Sequence, residues 1–535
     1  MTQSDEFGNF LYTPPPNNQP SGYPVPQPQP YSYPIQDNRN TDYITRLLAA
    51  NAVVQGSGYR RQIIEHVRDP FTAATPELGM DGEFVYRVAQ HIENRIAQIR
   101  AFYFLVVFVC GILFILGSTA SECGYNGRRY FCDYGNSGVV LLAIIGFLVA
   151  SAILTFFSRR ILRNDYLGFF KPNSPTWHQA KQHFNISVPA TPPVIPQPNQ
   201  NAVVYSGFSP FVGAGVFLGG WSFPVDLGAY KDDLGNLVEP TPFTLAELYA
   251  GLTQSIQNLG FDHVDVRDYL FTHGLDVTNN QLAFLPATLE QSPSQVLPPQ
   301  AIDYYANTND HSVRFYKWIR IYDWRGEVIF SFFVRFSFRG RNLFMEFNSF
   351  LLPPLKPYLY VVDYVQNIGI IRQIISAFNP FIPVVEAVIF LNRISNWLRS
   401  LIGLGAPDVL QEKLRMARKD LRRGLPFNYG KSESLREKFS HSDYTRFFQV
   451  MDKEMYTKII EKEMISYIGK FLASKKVNTT QFEERARTIV NNGLMVGGDF
   501  EISGGAIAFG EGAKAKNIVN RAQDAVKSMT GQSDK

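Results

Sequence analysis

VRFYKWIRIYDWRGEVIFSFFVRFSFRGRNLFMEFNSFLL, residues 313–352, carries the strongest β pattern in this 535-residue chain. Three runs, about 313–323, 327–337 and 342–351, are separated by the turn sequences WRGE and RGRN. In the first run Val313, Phe315 and Trp318 stand against Arg314, Lys317 and Arg320. That alternation predicts an antiparallel meander, half buried, with a solvated basic face. Interleaved arginines and aromatic rings also occur where single-stranded nucleic acid stacks. No RNP-type signature accompanies them here, and a net charge of +4 marks no global affinity for polyanions, so no nucleic acid is expected.

Upstream, AVVYSGFSPFVGAGVFLGGWSFPVDL opens an α+β domain spanning 202–352. Ala202 to Tyr205 reads as a strand, and Trp221, Phe223 and Val225 alternate as a second one would. Between them Gly207, Gly213, Gly215, Gly219 and Gly220 punctuate a loop. A glycine-rich turn after a strand invites a phosphate-binding reading, in which Gly213, Gly215, Gly219 and Gly220 would contact a cofactor. The loop lacks Gly-Lys-Ser/Thr, and the residues after it are strand-like, so the helix N-terminus that holds an anion is missing. The expected role of the glycines is instead a tight loop where backbones approach closely.

TPFTLAELYAGLTQSIQNLG comes next with helix signals: Thr244 and Glu247 as a capping box, Leu245, Leu248, Leu252 and Ile256 as an apolar stripe, and Gly260 as terminator. The next residues hold the densest group of acid–base side chains, Asp262, His263, Asp265, Asp268 and His273. A strand there would align His263, Asp265 and Arg267 on one face. Asp262, His263 and Asp265 are the catalytic candidates, although no nucleophile or partner motif accompanies them and such a polar face is usually just solvated. No metal site is expected, and no cofactor. Residues 284–311 read as a long surface loop.

Beyond the meander, 353–430 is apolar and then basic. The stretch 383–402 has helical spacing interrupted by Glu386, Arg393 and Arg399, an amphipathic helix that packs on the domain or lies in a headgroup plane. Arg415, Arg418, Lys419, Arg422 and Arg423 form a basic run suited to anionic lipid. Residues 431–492 are helical and charged, without a heptad repeat. In 493–535, the runs 499–503 and 506–509 flank Gly504–Gly505, a hairpin signal suited to strand addition, so 494–510 is read as a partner or self-association element.

At the other end, 1–40 is a Pro/Gln/Tyr-rich tail expected to be disordered, and 189–201 a Pro-rich linker. Residues 41–100 look helical; Phe84, Val88, Ile92 and Ile96 recur on one face, with His91 on a solvated one. Between these lies a pair of apolar runs, 101–118 and 138–157, each without a charged side chain. They are expected to form a transmembrane helical hairpin. Arginines outnumber on the outer flanks (Arg95, Arg100, Arg159, Arg160, Arg163 against Arg128 and Arg129), so both termini are expected in the cytoplasm and the loop 119–137 outside, across an inner membrane. Cys123 and Cys132 in that loop would form a disulfide; Cys110 lies in the first run.

The segment YSGFSPFVGAG, Tyr205 to Gly215, behind a two-span anchor and a Pro-rich tail, resembles uncharacterised bacterial two-span membrane proteins. The resemblance implies no activity. The expected fold is therefore a transmembrane helical hairpin followed by a large mixed α+β cytoplasmic domain with an antiparallel sheet. The expected function is membrane-anchored binding or scaffolding. Its rival is a tethered enzyme or small-ligand sensor using the loop 206–220 with Asp262, His263 and Asp265.

Overall fold

A computed structural model describes residues 38–119, short pieces between 122 and 146, 166–171, 177–184, most of 194–363 and nearly all of 409–492. Its N-terminal part begins with helices α1 (Asn38–Val54), α2 (Ser57–Arg68) and α3 (Gly82–Thr119). A hairpin of β1 (Glu122–Tyr125) and β2 (Tyr130–Asp133) comes next, then α4 (Trp177–His183). Leu47 and Leu48 of α1, Ile63 of α2 and Val88 and Ile92 of α3 form one core with Phe170, Phe184, Leu359 and Phe439. The four-residue apolar spacing of α3 is thus spent on packing, which removes from water the stripe that a lone helix would expose.

The expectation for 101–157 is corrected. Among the described residues no helix is long and apolar enough to cross a membrane, and the transmembrane hairpin is not found. Residues 101–118 are no separate element bounded by charged flanks. They continue α3, which starts at Gly82 and carries Arg95 and Arg100 within it. Most of 138–157 lies outside the described residues, as do the tail 1–37, the stretch 364–408 and the C-terminal hairpin. The second half of α3 leaves Leu105, Val109, Ile112 and Leu113 exposed.

The main part is built on strands β3 (Ala202–Tyr205), β4 (Val216–Asp226), a small pair β5 (Tyr230–Lys231) and β6 (Leu237–Val238), then β7 (Val264–His273), β8 (Val313–Asp323), β9 (Val328–Arg339) and β10 (Asn342–Leu352). Six of them form one sheet in the order β3-β7-β8-β9-β10-β4. All neighbours are antiparallel except β3 and β7. The expected meander is present as β8-β9-β10. The glycine-rich stretch is less of a loop than expected, because Gly219 and Gly220 lie inside β4, paired with Ser349 and Asn348.

One face of the sheet is covered by helices α5 (Leu245–Gln257), α6 (Pro299–Asn307), α9 (Phe447–Ser474) and α10 (Thr480–Asn492), where α7 (Val409–Arg422) and the one-turn α8 (Leu435–Lys438) precede α9. Leu248, Leu252 and Ile256 meet Ile460, Met464 and Ile468 over Phe330, Phe332, Phe336 and Phe347. Helix α6 corrects the reading of 284–311 as loop: Pro299 at its start fits the first turn, and Ile302 and Tyr305 are buried. Thr244 caps α5 as expected, its hydroxyl accepting from the Glu247 N–H at 3.2 Å.

The opposite face is covered too. Residues 206–215 connect β3 on one edge to β4 on the other, and Phe211 packs on Phe271, Tyr316, Phe333 and Phe350. Of the three basic residues expected on one wet face, only Arg314 is exposed. Arg320 and Arg335, 2% and 8% exposed, lie on the side covered by residues 206–215 and are paired with Asp265 and Glu346, whereas Lys317, 8% exposed, lies on the helix-covered side and is paired with Asp268. A charge run on a strand reads as solvated only while the sheet is assumed to have one wet face; pairing is what lets these charges be buried.

Candidate functional site

The acid–base group separates on folding. Strand β7 starts at Val264, so Asp262 and His263 precede it and are exposed. His263 contributes its carbonyl, which accepts from the Tyr322 N–H at 3.1 Å. Asp265 alone turns onto the covered face, where Arg267 Nε lies at 3.0 Å and Arg320 donates from Nη2. Burial pushes the Asp265 carboxyl up, but the Arg320 and Arg267 guanidiniums outweigh it and hold it below the usual carboxylate range. A carboxylate so committed is an anchor for Arg320 and is not poised to take a proton. The three catalytic candidates do not converge.

The glycine loop binds an anion, and the anion is its own. The Gly215 N–H donates to Glu437 Oε1 at 2.8 Å, and the Gly213 amide also reaches that carboxylate. Glu437 is fixed from behind by the Ser434 N–H at 2.7 Å, in a capping box at α8. Burial raises its pKa, and the hydrogen bonds from Ser434, Gly215 and Gly213 oppose the rise. A phosphate would have to displace this side chain. The glycines have the close-approach role: Gly213 and Gly215 have φ of +93° and +89°, and a Cβ at Gly215 would lie 2.2 Å from the Leu351 carbonyl oxygen. Gly220 similarly lies against the Phe347 carbonyl.

The segment 429–441 is a junction that sequence reasoning misses. The Lys431 N–H donates to the Val204 carbonyl, and its carbonyl accepts from the Ser206 N–H at 2.9 Å. Lys431 Nζ donates to the His66 carbonyl at 2.8 Å. Burial lowers the Lys431 pKa to about 8, against the pull of Glu77 and Asp69. Glu77 accepts from the Leu435 and Arg436 amides and from the Thr75 hydroxyl. His66, Thr75, Glu77 and Lys431 line a cavity of about 10 Å³, room for one water. The one signal is Gly430-Lys431-Ser432, but α8 is too short for an anion site and its N-terminus is already filled by Glu77. These groups tie the N-terminal helices to the sheet.

Two side-chain groups face outward. On α7, Arg415, Arg418, Lys419 and Arg422 are exposed, as is Arg423 just after it, with Arg418 and Arg422 resting on Glu290 at 3.3 and 2.8 Å. On the first two turns of α9, Phe447, Phe448, Met451 and Met455 are 65%, 67%, 39% and 44% exposed. Gly469, Lys462, Met455, Met451 and Phe448 recur at intervals of seven, seven, four and three residues and so share one helix face. Farther along, that face is covered: a Cβ at Gly469 would lie 3.1 Å from the Phe482 ring of α10. His91 is not solvated as expected; its Nε2 lies 3.2 Å from the Tyr166 hydroxyl among the rings of His183 and Phe184. Among the described residues no group of three or more His, Cys, Asp or Glu side chains could hold a metal. In β1 and β2, Cys123 is the register partner of Cys132.

A family model described as AbeC-like domain matches residues 220–503, more than half of the chain. No curated protein and no solved structure matches.

Proposed function

The chain belongs to the AbeC-like domain family, and from that premise we propose that it is a binding or scaffold protein whose docking surface is the Phe447, Phe448, Met451 and Met455 face of α9. The matched residues contain all of α9 and α10. One observation carries the reading: two phenylalanines and two methionines stay in water at the start of a helix that already buries Val450, Ile460, Met464 and Ile468 on another face. Aromatic and methionine side chains are enriched at interface cores, where they supply large contact areas that adapt to a partner. Clustering on one helix face sets these four apart from apolar residues scattered singly. Two of the polar groups that could serve an enzyme are already engaged: Asp265 with two arginines and Glu437 with the glycine loop.

The test is a photoreactive p-benzoylphenylalanine at position 451, expressed in the native cells. A recurrent crosslinked polypeptide is expected, and it should disappear when Phe448→Asp is added. Crosslinking no stronger than that from an exposed position on another face, such as Asp233, would remove this reading.

A further inference from the structure

Resting on that reading, we propose that the α9 face is a regulated surface, covered in cis by the chain's own C-terminal segment, residues 494–510. Helices α9 and α10 are joined by residues 475–479 only, so they run antiparallel. Phe482 lies against Gly469, and Asn492 comes ten residues after Phe482. At ~1.5 Å per residue, α10 therefore ends beside Ile459, ~6 Å short of Met455 and ~17 Å short of Phe448. A chain continuing from that point starts within reach of the stripe. At ~3.3 Å per extended residue, about six residues reach Phe448, and 494–510 is long enough to cover the four side chains.

Composition and charge agree with the geometry. The segment LMVGGDFEISGGAIAFG offers Leu494, Met495, Val496, Phe500, Ile502, Ile507 and Phe509 to an apolar surface. It also carries Asp499 and Glu501, while α9 presents the exposed Lys462 along the stripe. Local concentration favours the tethered segment over a free partner of equal intrinsic affinity. A partner that binds this face must then compete with the tail, so its apparent affinity is its intrinsic affinity multiplied by the fraction of uncovered molecules.

The purified full-length chain with p-benzoylphenylalanine at position 451 tests this directly. Illumination should give an intramolecular crosslink that mass spectrometry maps to 494–510, with a yield independent of protein concentration. Crosslinks only between copies, growing with concentration, would overturn the proposal in favour of a second copy's tail. Absence of any tail crosslink would overturn it as well. Amide exchange needs no photoreactive residue: Phe448→Asp should accelerate exchange in 494–510 severalfold, and equal rates in the two proteins would contradict cis docking. In cells, deletion of 493–535 should raise partner crosslinking severalfold. Partner capture without a tail crosslink would remove only the cis cover. A tail crosslink with no partner, even after the deletion, would remove only the binding function.

Discussion

The backbone N–H of Gly215 meets the Glu437 carboxylate at 2.8 Å across 222 positions of sequence. The contact joins the connection between two sheet edges to the junction segment that carries the N-terminal helices. A loop whose composition suggests an external anion has an internal one, and the exchange of a ligand for a side chain converts a binding motif into a brace.

Glu437→Gln should therefore destabilise the chain, by about 1–3 kcal/mol in urea unfolding, because a buried amide loses its charged acceptor. Gly215→Ala should cost more than Glu437→Gln. Its Cβ would meet the Leu351 carbonyl oxygen at 2.2 Å, in a backbone conformation at φ +89° that a side chain disfavours. Equal midpoints for wild type and Gly215→Ala would contradict this close approach.

Asp265→Ala should be severe and His263→Ala mild. Removing the first leaves Arg320, 2% exposed, without its carboxylate; such losses are about 3–5 kcal/mol. The second touches an exposed side chain, and about 0.5 kcal/mol or less is expected. Thermal melts of both variants separate a structural ion pair from a catalytic cluster, in which the two substitutions would share a functional phenotype without a stability difference.

Glu461 gives the fold a pH dependence near neutrality. It is 3% exposed, and burial pushes its pKa up to about 7 while the hydrogen bond from Trp221 Nε1, at 2.9 Å, pulls it down. The folded state therefore holds a proton that the unfolded chain releases near the ordinary value of 4.5. Its contribution is complete below that value and is lost as pH rises through about 7, by at most on the order of 3 kcal/mol. Glu461→Gln should remove this component. Parallel stability–pH curves for the two proteins between pH 4.5 and 7.5 would show that Glu461 does not titrate in that range.

The β1–β2 hairpin places Cys123 across from Cys132, a register whose Cα separation of about 4.5–5.5 Å suits a bridge. Purified in air and denatured with an alkylating reagent, the chain should lose reactivity at those two positions and keep it at Cys110. Alkylation of all three cysteines without prior reduction would show the bridge absent.

How much of the fold is legible in the sequence depends on how local each cause is. The β8-β9-β10 meander and the Thr244 cap depend on neighbours within a few residues, and alternation and capping residues report them. Arg320 reads as solvated because nothing nearby in sequence discloses that residues 206–215 cover its face from afar. Helix α6 is hidden by Pro298 and Pro299, which suggest a loop until Pro299 is recognised as a first-turn residue. The outward face of α9 is present as Phe447, Phe448, Met451 and Met455, yet Glu–Lys pairs on the same helix mask it. Apolar runs alone suggest membrane spans, although 101–118 continue a helix that has already begun to pack.

The connection from β3 to β4 has a kinetic consequence. These strands are consecutive in the chain but occupy opposite edges of the six-stranded sheet, so neither margin is closed until residues 206–215 have crossed it. The central hairpins β8-β9 and β9-β10 need only short loops and can assemble early; the two margins must wait for one crossing and share its fate. Opening of either edge slackens the same tether, so amide exchange from β3 and from β4 should report a single cooperative event.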